Sequence, residues 1–102
     1  MTCGSLDEVR AEIDRIDDAI IRLIAERGAF VAQAARFKKD ADGVRAAGRV
    51  ESVIRRVRAK AAEYGADEDM AEALYREMIR RFVDMEMRAF AGRKTSAEKS
   101  SH

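Results

Sequence analysis

Proline and tryptophan are absent from the 102 residues, cysteine and histidine occur once each, and there are six glycines. Strand-and-turn architectures need more punctuation than that, so an all-helical chain is expected. The single cysteine, Cys3, cannot close an internal disulfide, and no Cys/His cluster is available to hold a metal. The single histidine, His102, is the last residue, which leaves no room for histidine chemistry. There is no long apolar run, so no membrane span is expected. The opening stretch MTCGSLDEVR lacks the apolar region of a secretory signal, and a cytoplasmic location is expected. Neither sign of charge dominates: 20 Lys and Arg against 19 Asp and Glu give a net charge of +1. That balance argues against bulk binding to nucleic acid or to an anionic membrane.

What is present is a strongly patterned chain, 47% apolar and 38% charged. Its length suits one domain. Residues 1–5 and 91–102 are polar, lack periodicity and read as disordered ends around a helical domain at 6–90. Three helices are expected in it. The first opens on Ser5 with Glu8 three residues later, a capping box. Apolar or small residues then recur at 6, 9, 13, 16, 20, 23, 30, 34 and 37. This heptad seam is about 34 residues, or roughly 50 Å, long. Two further helices of about 20 residues cannot cover a seam of that length. A second copy of the chain is therefore expected to cover part of it.

Lys39 to Gly43 interrupts the pattern and reads as a loop. The second helix is expected from about Arg45 to Glu63, with Val50, Val53, Ile54, Val57 and Ala61 on one stripe. Gly65 supplies its left-handed end. Asp67 or a neighbour caps a third helix running to about Phe90, whose apolar stripe includes Leu74, Tyr75, Met78, Ile79 and Phe82.

The informative positions are charges inside apolar stripes. Arg27 fills the one slot the seam skips. Lys38 follows eleven residues later, which on a continuous helix returns to within about 20° of the same face, roughly 16 Å along the axis. Arg10 lies about 100° away from Arg27 and near the other end of the helix, within reach of a two-fold partner's site rather than its own. Glu86 shares the face of Phe82, Ile79 and Tyr75. Burial there disfavours a charged carboxyl unless a cation pairs with it. Arg45 and Arg49, four residues apart, open the second helix, whose N-terminus favours anions. A structural reading stands beside each functional one. A single arginine near a seam can snorkel or pair, and Glu86 can bridge to Arg27 or Arg10. Several cations and one acid converging on an apolar interior describe a pocket for a small dianion with an apolar body.

The stretch LDEVRAEIDRIDDAIIRLIAERGAFVAQAARFKK resembles the long first helix of the AroQ-type chorismate mutase family, in its L-x-x-x-R-x-x-I-D-x-I-D opening, its later L-x-x-x-R and its lysine after a run of small residues. The resemblance covers about residues 6–90. It implies an intertwined all-helical homodimer of three-helix chains with two equivalent sites, and no cofactor. It implies that Arg10 reaches a substrate carboxylate in the partner's site and that Arg27 holds the other carboxylate in its own. Lys38 would bond the ether oxygen and a carboxylate. Arg49 would lie near the substrate. Glu86 stands where members carry glutamine or glutamate as a second donor to the ether oxygen. Arg45 and Phe82 complete the expected substrate-binding set. Bacterial mutases of the family often carry acidic residues where this chain has Ala46 and Val50. The isochorismate pyruvate lyase branch is apolar there, but resembles a glutamine enzyme at the position of Glu86.

Overall fold

The computed structural model describes residues 2–100, with side chains to residue 92; Met1 and the expected terminal positions 101 and 102, His102 among them, lie outside the described residues. The chain divides into two compact units at residues 33 and 34.

The first unit is built on helix α1, Leu6–Ala35, which continues to the boundary and just past it. Its start follows the expected cap. Ser5 Oγ accepts the Glu8 N–H at 3.1 Å, and the Glu8 carboxylate reaches back to the Gly4 N–H at 2.7 Å. Asp7 and Glu8 add negative charge where the helix dipole favours it. Glu12–Arg15 and Asp18–Arg22 pair along the exposed surface. No residue of α1 is buried, and the seam positions Leu6, Val9, Ile13, Ile16, Ile20 and Leu23 are all exposed.

The second unit holds α2 (Ala41–Arg45), α3 (Ala47–Tyr64) and α4 (Glu68–Ser100). Helices α3 and α4 form a hairpin, and α2 packs on α4. The hairpin turn is built as its residues dictate. Gly65 is left-handed (φ 77°) and its N–H closes on the carbonyls of Ala61 and Ala62. Asp67 Oδ1 then accepts the Met70 N–H at 2.7 Å and starts α4. Ile54 and Ala61, seven residues apart on α3, and Val44 on α2 are the buried apolar residues among those described. Tyr75, Met78, Ile79 and Phe82 on α4 are half-buried, whereas Leu74, expected on the same stripe, is exposed. On the outer side the two helices are joined by charge. Arg58 bonds Asp69 and Glu72, and Arg76 bonds Glu72 and, through two nitrogens, Glu51. These arginines hold the Glu51 and Glu72 carboxyls below their ordinary range.

Three boundaries differ from the sequence expectation. Helix α1 stops at Ala35, so Lys38 is not on it. Phe37 and Lys38 donate instead to the carbonyls of Ala34 and Ala35, three residues back, and tighten the last turn. Asp40 has an extended backbone (φ −149°, ψ 174°) committed to capping the next element, which no continuing helix could pass. The expected loop at 39–43 contains the start of α2. Ala46, left-handed at φ 34°, ψ 63°, separates α2 from α3, so Arg45 and Arg49 lie on different helices. That conformation costs an alanine about 1–2 kcal/mol, set against the burial of Val44. Finally, α4 continues past Phe90 to Ser100, because Ala, Glu and Lys propagate a helix and no proline ends it. Among the described residues, no helix is long and apolar enough to cross a membrane.

Candidate active site

Glu86 follows Phe82 by one turn and Ile79 by two on the inner stripe of α4. Only 8% of it is exposed, and it is the buried charged residue of the described chain. Its carboxylate Oε2 accepts a hydrogen bond from Lys38 Nζ at 2.9 Å. The lysine side chain is 26% exposed. The two residues are 48 apart in sequence, so the contact belongs to the tertiary fold of the second unit.

The lysine reaches this position from the connection after α1, not from the helix itself. Three features shape that connection: the tightened last turn of α1, the Asp40 cap and the seating of α2 on α4. Asp40 Oδ1 accepts the Gly43 N–H at 2.7 Å. Val44, one residue on, is buried. Asp40 and Val44 were both missed in the sequence. The signal for Asp40 was there, an aspartate three residues before the N–H it caps, but the segment read as loop.

An ammonium and a carboxylate at 2.9 Å form a charge-assisted hydrogen bond. Removing Lys38 strands the buried Glu86 carboxylate. The pair sets two adjacent polar groups beside the apolar stripe of α4. An ammonium is a donor only. The carboxyl accepts while ionised and donates only when protonated.

Among the other candidate residues, Phe82 is half-buried one turn before Glu86, while Arg45 at the end of α2 and Arg49 in the first turn of α3 are exposed. Arg10 and Arg27 belong to the first unit, Arg10 exposed and Arg27 half-buried, some 25 Å apart along α1. The second unit thus unites Lys38 and Glu86. Within that unit the cation on Glu86 is Lys38. No grouping of three or more His, Cys, Asp or Glu side chains able to hold a metal occurs among the described residues.

The family model for chorismate mutase type II matches residues 9–87. The chain belongs to this family. The matched segment of this chorismate mutase-type chain contains every candidate residue, from Arg10 to Glu86. It is also similar to the isochorismate pyruvate lyase of Pseudomonas aeruginosa, 31% identical over 81 residues, which is 79% of this chain and 80% of the relative. Family and relative both make it an enzyme of the chorismate mutase class with a small-molecule substrate.

Proposed function

We propose that the protein is a chorismate mutase that rearranges chorismate to prephenate in two sites shared between two copies of the chain. The observation that carries this reading is the pairing of Lys38 with Glu86, whose carboxylate is buried on the apolar face of α4. In the rearrangement the ether C–O bond breaks as a new C–C bond forms, and negative charge grows on the ether oxygen. A preorganised donor at that oxygen stabilises the transition state more than the ground state. Lys38 supplies one donor. Glu86 in its protonated form supplies the second. Arg10 from the partner, Arg27, Arg45 and Arg49 suit the two carboxylates, since a guanidinium grips a carboxylate through two parallel bonds. Holding both carboxylates folds the flexible substrate into its reactive conformer, a proximity effect. Phe82 gives the ring an apolar wall. The rearrangement is intramolecular and requires neither nucleophile nor cofactor.

The seam of α1 supports the pairing of two copies. An exposed apolar stripe along a helix of 30 residues, roughly 45 Å, exceeds what a soluble monomer leaves bare. The heptad spacing suits another helix of the same kind.

A second reading, release of pyruvate from isochorismate to leave salicylate, is favoured by the name of the Pseudomonas relative and by the apolar Ala46 and Val50. Glu86 favours the first. Both reactions break the same type of C–O bond and use the same donors. They differ in whether the released fragment forms a C–C bond or takes up a hydrogen. Incubating the purified chain with chorismate and isochorismate separately, and identifying the products, decides between them. Prephenate from chorismate supports the mutase; salicylate with pyruvate from isochorismate alone supports the lyase. A folded chain that converts neither contradicts both.

A further inference from the structure

We propose that Asp40 is a positioning residue that holds Lys38 on Glu86. The proposal rests on the reading above, because it assigns control of the same donor pair. Lys38 lies outside any helix and carries a long, flexible side chain. Something must limit where its ammonium goes. Asp40 is tied to α2 twice: its side chain accepts the Gly43 N–H at 2.7 Å, and its carbonyl accepts the Val44 N–H at 3.3 Å. Val44 is buried and α2 packs on α4, the helix that carries Glu86. Asp40 is therefore fixed relative to Glu86, and one residue, Lys39, separates it from Lys38. Two residues of extended chain span at most about 7 Å, so anchoring Asp40 anchors the lysine backbone.

The two side chains also converge. A Cβ on Gly43 would lie 3.4 Å from Asp40 Oδ1 and 3.6 Å from Lys38 Cβ. The capping carboxylate and the lysine stem thus rest against the same glycine. Removing the cap frees the Gly43 N–H and the turn together, and the lysine head is then free to leave the carboxylate for water. The requirement is for a short acceptor, not for a charge. Asparagine caps as well as aspartate.

The test compares Asp40→Ala with Asp40→Asn in the full chain, with helicity checked by circular dichroism. The first readout needs no substrate: competitive acylation by acetic anhydride, with Lys38 and Lys39 resolved by peptide fragmentation. Exposed Lys39 is the internal reference. In the wild type, Lys38 is expected to acylate several-fold more slowly than Lys39, because its amine is engaged by a buried carboxylate. In Asp40→Ala the two lysines should react alike; in Asp40→Asn, Lys38 should stay protected. The second readout is kcat/KM on whichever substrate the wild type converts. Asp40→Ala should lose about threefold to thirtyfold, the range a lost cap spans, and Asp40→Asn less than about twofold. In a Lys38→Ala background, Asp40→Ala should cause no further loss, although any effect on stability would persist. Continued protection of Lys38 in Asp40→Ala overturns the proposal. So does exposure in Asp40→Asn equal to that in Asp40→Ala, or losses that multiply in the double variant. A wild type inactive on both substrates contradicts the proposed function, while the acylation pattern still decides the role of Asp40.

Discussion

Helix α1 and the hairpin of α3 and α4 solve the problem of apolar surface in different ways. The hairpin turns Ile54 and Ala61 inward, half-buries Phe82 and Ile79 on its facing helix, and joins its outer rim with paired charges. α1 has an equally regular stripe and buries none of it. The difference teaches that periodicity reports which face is apolar, not what covers it. One unit supplies its own partner helix. On the proposed reading, the stripe of the other is covered by a second copy.

The largest effect should come from breaking the uncovered stripe. Ile20→Asp puts a charge in the middle of the α1 seam and, by two-fold symmetry, twice in one interface. Sedimentation at micromolar concentration should show the wild type as a dimer and the variant as a monomer, with activity lost. A wild type that sediments as a folded monomer removes the proposed interface.

Next in size is the donor pair. Glu86→Ala should lower kcat by about 10²–10³, as for one oxyanion-type donor, while the dimer persists. Glu86→Gln keeps a neutral donor at this position and should retain far more activity than Glu86→Ala. Equal losses in the two variants would make Glu86 a structural partner of Lys38 only.

Within the hairpin, Ile54→Ala should cost about 2–5 kcal/mol of stability by leaving a cavity, read as a lower urea midpoint, without converting dimer to monomer under native conditions. The smallest effect sits on the exposed surface. Arg80 and Arg81 push the Glu77 carboxyl down to about 2, from an ordinary 4.5. A lowered value means the contribution to stability is present above pH 4.5 and is lost as pH falls through about 2. Water and salt screen these exposed pairs, so the change in stability should be slight. Carboxyl NMR titration should find Glu77 near 2, and replacing both arginines with alanine should return it toward 4.5.

Much of this was legible in the sequence, and what was not has a physical cause. Ser5 with Glu8, Gly65 and Asp67 mark helix ends through local backbone chemistry, which sequence carries directly. Glu86 stood out because a carboxylate on an apolar stripe demands an explanation. The exit of the chain before Lys38 was not legible, since seam position 37 keeps the spacing after the helix has ended. Ala46 was hidden for the opposite reason: a left-handed break is normally glycine or asparagine. The Lys38–Glu86 contact joins residues 48 apart, and no local spacing encodes it.

The central claim, that two copies build each site together, is tested most directly by mixing two inactive chains. One carries Arg10→Ala and the other Lys38→Ala. Co-refolded in equal amounts, they form heterodimers with one site intact and the other carrying both lesions. On whichever substrate the wild type converts, the mixture should recover about a quarter of wild-type activity, half the dimers being mixed and half their sites whole. No recovery in verified heterodimers would contradict the account, because Arg10 would then serve its own chain or none.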